Sequence, residues 1–273
     1  MTVLVLAVAA GVAALYHGLN QLQPELTGPG CAAGNSHLTI PLDSEQAAIA
    51  ATIAGVAHRQ HMPAHAVTVA YATAMQESHM HNLDYGDRDS VGVFQQRPSE
   101  GWGPASKLID PVYATTRFFA ALAAVHNYKG MPVYQAAQDV QHSADGYAYS
   151  QYQPMAARLT AAFTGRLAHA VWCWPGDPGT AKASLTGAAS GLTHTFGALR
   201  IRTTTPPRDV PTLTVTASDP ALGWAVAAWL VTHAATLHLA VVSYDGFRWR
   251  SAASNAQWVK DTGADSATAV RTS

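Results

Sequence analysis

Apolar and polar positions fall in blocks along this chain, and the spacing inside each block predicts an element. Residues 2–15 are nearly all apolar and 16–19 extend the run, about the length of a signal-peptide core or a minimal membrane span. A break at Pro24, Gly28, Pro29 and Gly30 follows. Asp43-Ser44 opens a helix to about residue 59, with Ile49, Ile53 and Val56 on one face. Pro63 opens a second to about residue 77, with Val67, Tyr71, Ala74 and Met75 inward. Residues 82–88, rich in Asn, Asp and Gly, read as a loop, 91–96 as a short strand or an irregular segment, and 98–103 as a turn carrying Trp102. Asp110 caps and Pro111 starts a helix bearing Val112, Tyr113, Phe118, Phe119 and Leu122. Two more helices are expected over 132–142 and 154–167.

Residues 175–211 are rich in Gly, Ala, Ser, Thr and Pro and read as a linker. Residues 212–217 alternate like a strand. An apolar helix over 220–238 carries Trp224 and Trp229, and a hairpin around Asp245-Gly246 joins strands at 239–244 and 247–251. The pattern predicts a mainly α domain at 36–174 and a small α+β (βαββ) C-terminal module at 212–260. An N-terminal anchor or signal segment at 1–20 and a flexible tail at 261–273 complete the division. The module is short for independent stability, so it is expected to pack on a partner or on the main domain.

Composition narrows the function classes. Only 12% of the 273 residues are charged, the formal net charge is -1, and there is no long basic run. That excludes nucleic acid as the main partner and favours an exported or membrane-tethered protein. The chain holds 13 histidines. His58, His61 and His65 would share a helix side, but Pro63 interrupts the spacing and no cysteine or carboxylate completes a ligand set. No metal and no cofactor are therefore expected. A metal-handling membrane protein is a further reading, and a single span cannot build a transport path for it. Cys31 and Cys173 make no CxxC motif. In an exported chain they read as one disulfide closing the main domain, stabilising it by roughly 4–5 kcal/mol in the chain-entropy model, with two separate buried thiols as the alternative.

The chemistry concentrates in Gln76-Glu77-Ser78-His79, Gly86-Asp87-Arg88 and Gly92-Val93-Phe94-Gln95-Gln96. Glu77 ends an apolar helix, where the negative end of the dipole and apolar neighbours both favour the neutral carboxyl. A carboxyl that keeps its proton near neutral pH can donate it to a leaving glycosidic oxygen. A glutamate paired with Arg88 or His79 is the structural alternative.

These three pieces, in this order and at close spacings, resemble the active-site run of goose-type lysozymes and soluble lytic transglycosylases. The resemblance covers roughly residues 44–170. It implies a lysozyme-like fold and cleavage of the β-1,4 bond between N-acetylmuramic acid and N-acetylglucosamine in peptidoglycan glycan strands. It further implies Glu77 as general acid, Ser78 supporting it by hydrogen bonding, and Asp87 positioning water. Gly92 would let the backbone approach the sugar, and Gln95 and Gln96 would line the cleft. The goose-type run carries a further aspartate after Gly-x-x-Gln, where this chain has Gln96-Arg97. Transglycosylases often carry a late Tyr-Asn pair, and the comparable stretch here is Gln141-His142-Ser143. Asp84 and Asp89 are substitutes for the second carboxylate. With one secure carboxylate, attack by water would hydrolyse the bond and attack by the muramic 6-hydroxyl would give a 1,6-anhydro product. Trp102 and Tyr113 are candidate sugar-stacking residues, with Tyr85 and Phe94 beside them and Tyr147, Tyr149 and Tyr152 as a later cluster. The pattern from Gly223-Trp224 to Trp249 is similar to small C-terminal modules of actinobacterial cell-wall proteins. It has no catalytic set, and a wall-binding or protein-docking role is expected of it. The expected enzyme is anchored in or secreted across the membrane with its catalytic domain outside. The competing expectation is a lysozyme-like scaffold that binds wall without cleaving it.

Overall fold

The computed structural model describes residues 28–35, 37–143, 146–175, 181–205, 210–253, 256–261 and 268–273. The apolar run at 1–20 lies outside them, and no helix among the described residues is long and apolar enough to cross a membrane.

The fold is mixed α+β. Strands β1 (Gly30–Asn35) and β2 (Leu38–Leu42) form a hairpin, with Asn35 Oδ1 accepting from the backbone N–H of His37 and of Leu38. Helices α1 (Ser44–Arg59) and α2 (Ala64–Ser78) follow. Asp43 and Gln46 close a reciprocal capping box at the start of α1. After a long loop come α3 (Ala105–Leu108), α4 (Pro111–Ala124), α5 (Val133–Gln141), a 3-10 segment (Gly146–Tyr152) and α6 (Gln153–Phe163). Strand β3 (Val171–Trp174) then pairs with β1, giving the antiparallel order β2-β1-β3. That register sets Cys31 opposite Cys173, and they form the disulfide. The helices pack around Ile53, Val56, Tyr71, Phe94, Phe118, Phe119 and Phe163, and the Tyr71 hydroxyl donates to the Ala50 carbonyl at 2.8 Å.

The second half is built from helix α7 (Leu185–Phe196), strands β4 (Arg200–Thr204) and β5 (Thr212–Thr216), helices α8 (Pro220–Thr232) and α9 (Ala234–Leu237), and strands β6 (Val241–Tyr244), β7 (Phe247–Arg250), β8 (Val259–Lys260) and β9 (Ala269–Thr272). The six strands form one antiparallel sheet in the order β4-β5-β9-β6-β7-β8. Every residue of α8 from Leu222 to Thr232 is buried. A helix apolar on all sides needs cover on all sides, and α8 finds it between the sheet, α1 and β3. Trp249 Nε1 donates to the Cys173 carbonyl at 3.0 Å and Trp258 Nε1 to the Val171 carbonyl at 2.7 Å, so two tryptophans of the module use carbonyls of β3. Gly165, at φ +71°, lets the chain after α6 reach α8, since a Cβ there would stand 2.0 Å from the Ala221 carbonyl oxygen.

Several boundaries differ from those read in the sequence. The stretch 175–211 contains α7 and β4, whose apolar positions Leu192 and Phe196 help cover α1, so it is not a linker throughout. The tail 261–273 ends in β9, which sits inside the sheet between β5 and β6. The C-terminal module is therefore larger than βαββ and lies against the main domain. The β1–β2 hairpin went unread because its strands are short, and β3 because its partner β1 lies far away in sequence.

Candidate functional site

Helix α2 delivers Glu77 in its last turn. His79 and Met80 take left-handed conformations and end the helix, with the Met80 N–H donating to the Ala74 carbonyl at 2.9 Å and the Met80 side chain buried. The Glu77 carboxyl is half-buried. Tyr149 donates its hydroxyl to Glu77 Oε1 at 2.7 Å, and the Gln141 side chain hydrogen-bonds the same carboxyl. Gln141 is itself held by donation from Nε2 to the Phe94 carbonyl at 2.8 Å. No Lys, Arg or His among the described residues forms an ion pair with Glu77. Desolvation raises its pKa, and the two hydrogen bonds oppose the rise without cancelling it. Tyr149 is pushed well above the usual phenol range, first by burial and then by the adjacent carboxylate.

The sequence motifs converge on Glu77 as a frame more than as a lining. Ser78 is buried, with Oγ 2.7 Å from the Val93 carbonyl and 3.1 Å from that of Ala74, and it accepts from the His81 N–H. It pins the turn after Gly92 to the end of α2 and does not line a cleft. Gly92 is buried at φ +77°, and a Cβ would meet the Leu108 carbonyl oxygen at 2.5 Å. Its freedom serves packing of the chain on itself, so the expected approach to a sugar is not what the backbone shows. Gln95 sits at φ 48° and donates from Nε2 to the carbonyls of Tyr85 and Gly92, closing the 82–96 loop. Gln96 is 1% exposed and donates to the Ala114 carbonyl, which makes it an interior residue. Val91 and Gln96 exchange two backbone hydrogen bonds, so 91–96 is a tight bridge and not a strand.

The expected second carboxylate lies in the solvent-exposed part of the loop. Asp87 is 92% exposed, with Arg88 at 3.9 Å, and nothing ties it to Glu77. Asp89 is committed elsewhere: it accepts from the Ser99 N–H at 2.7 Å, from Ser99 Oγ and from Arg97 Nε, which hold its pKa down to about 2. Arg97 thus has an internal partner and does not reach Glu77. Trp102 and Tyr113 are half-buried on a neighbouring patch, where the Tyr113 hydroxyl lies over Gly103 and Lys107 Nζ is 5.8 Å from the Tyr113 ring centroid. Trp102 packs on the core, and its carbonyl accepts from Arg117 Nε.

Two residues of the site were visible in the sequence only as neighbours of something else. Gln141 stood in the stretch compared with a Tyr-Asn pair, and Tyr149 in a tyrosine cluster. Neither carries a spacing that points to Glu77, because they reach it from α5 and the following 3-10 segment. Among the described residues no group of three or more His, Cys, Asp or Glu side chains is placed to hold a metal ion. No family model matches the chain, and no curated protein matches its sequence.

Proposed function

We propose that this protein is an exported peptidoglycan-cleaving enzyme of the lytic-transglycosylase type, with a lysozyme-like helical domain and Glu77 as its acid and base. The observation that carries the reading is the Glu77 carboxyl: half-buried, free of any cationic partner among the described residues, raised in pKa, and oriented by Tyr149 and Gln141. Protonated Glu77 gives its proton to the glycosidic oxygen as the bond from muramic C1 breaks. The 6-hydroxyl of the same sugar then attacks C1 and returns its proton to Glu77, which restores the acid. No second carboxylate is needed for that sequence. The exposure of Asp87 and the engagement of Asp89 favour it over attack by a water held on a carboxylate. The disulfide supports assembly in an oxidising, extracytoplasmic compartment.

The test is digestion of purified peptidoglycan by the full chain beside Glu77→Gln, with mass analysis of what is released. Anhydro-muropeptides from the parent, falling by about 10²–10⁴-fold in the variant, are expected. Reducing ends in their place would make the enzyme a hydrolase. Wall binding with no release by either protein would replace the enzyme with the noncatalytic scaffold.

A further inference from the structure

The six-stranded sheet has two unlike faces. Leu213, Val215, Val242, Tyr244, Trp249, Val270 and Thr272 are buried on the inner face, where β6 and β9 pack on α8 and β5 packs on α7. Strand alternation sends the other set outward. In register across the sheet, Arg202 stands beside Thr214, Thr214 beside Arg271, Arg271 beside Ser243 and Ser243 beside Arg248. Arg200 and Arg250 flank this row on β4 and β7. Five of the chain's 16 lysines and arginines thus share one face of a protein whose net charge is -1. Asp261 pairs with Arg248. Arg200, Arg202, Arg250 and Arg271 are exposed.

We propose that this face binds a linear phosphodiester polymer that carries no bases. Neighbouring strands lie about 4.8 Å apart, so the row sets an arginine roughly every 10 Å with a hydroxyl between, over roughly 19 Å. Guanidinium forks and hydroxyls both donate to phosphate oxygens. Arg200 and Arg202, two residues apart on one side of β4, repel, whereas on β7 the charge of Arg248 is met by Asp261. An anionic chain laid across the strands removes that repulsion. No aromatic residue points outward among the described strand positions, which leaves nothing to stack a base. The described outward strand positions form no apolar cluster to enter a lipid surface.

The inference does not rest on the cleavage reading, and glycan release is not its readout. Binding of a synthetic glycerol-phosphate polymer to the full chain is measured against salt, beside Arg200→Gln/Arg202→Gln/Arg250→Gln. The expected result is binding that the triple variant weakens at least tenfold, with the log–log salt slope falling by about 2, as counterion release by three contacts requires. Single-stranded DNA, polyglutamate and phosphatidylglycerol vesicles are run alongside. The proposal is overturned if the parent ignores the glycerol-phosphate polymer, if the triple variant binds as well as the parent, or if any of the three alternatives binds more tightly. Should the triple variant melt early, Arg202→Gln alone is read in its place. A several-fold loss there supports the proposal, and unchanged binding overturns it.

Discussion

Glu77 meets two opposed demands, since the burial that prepares it as an acid also makes its ionised form costly to the fold. Its pKa is raised, so between its unfolded and folded values the native state holds the extra proton. Stability falls as pH climbs through that window. Glu77→Gln removes the ionisation while keeping an oxygen to accept from Tyr149. Its melting temperature is expected to exceed that of the parent at neutral pH, and the gap to close below the ordinary carboxylate range, as thermal melts from pH 3 to 8 would show. Tyr149→Phe removes a hydrogen bond that favours the carboxylate, so the alkaline limb of the pH–rate profile for glycan release is expected to move to higher pH. Glu77 was legible because three motif pieces surround it in sequence. The tasks of its neighbours were not. Ser78, Gly92 and Gln96 stand in the motif yet serve the interior, while Tyr149 and Gln141 stand outside it and touch the carboxyl. A motif records which residues must be present, and only packing shows whether they face solvent or hold the ones that do.

At the level of elements, the end of α2 is latched to the start of α1. His81 Nε2 lies 2.8 Å from Asp43 Oδ2, the Asn82 N–H donates to Glu45 Oε1, and Gln46 Nε2 donates to the His79 carbonyl. Burial alone would lower the His81 pKa, but the hydrogen bond and charge of Asp43, aided by Ser78 and Glu45, outweigh it and raise it. The pair therefore contributes its full stability below the unfolded histidine pKa of about 6.5 and loses it as pH rises through the raised folded value. Asp43→Asn keeps a capping side chain but not the charge. The parent is expected to be more stable than this variant by under about 1 kcal/mol at pH 5.5, and the difference to vanish in alkaline buffer, as urea denaturation at both pH values would show. Helices were well read from sequence because caps and proline starts are local signals: Asp43, Asp110-Pro111 and Pro220 each mark a helix that forms. Strands β3 and β9 were missed because each owes its state to a distant partner, and β1, β2, β4 and β8 because they are short and carry little apolar alternation. Helix α7 was hidden by its Gly, Ala, Ser and Thr content, which suits close contact with α1 as well as it suits a linker. Gly55 on α1 shows the contact, since a Cβ there would stand 2.4 Å from a side-chain carbon of Thr195.

Over the whole molecule, the helical part and the sheet share α8 as common core, so the two halves are expected to unfold together. The disulfide closes a loop of sequence separation 142, and in the chain-entropy model its loss costs about 5 kcal/mol. Cys31→Ser/Cys173→Ser is expected to lower the denaturation midpoint by a corresponding amount, with a single transition retained by both far-UV circular dichroism and tryptophan fluorescence. The position of β9 has a consequence for how the fold is reached. The pairs β4–β5 and β6–β7 join near neighbours in sequence, whereas β9 pairs with β5 more than fifty residues before it and with β6 about thirty before it. Contacts of such long range form late, because the chain between them must be ordered first. Until β9 arrives, β5 and β6 each present a bare edge, the kind of surface on which chains stick to one another. Refolding yield is therefore expected to fall steeply with protein concentration, and pulse-labelling exchange to find the amides of β6–β7 protected before those of β9.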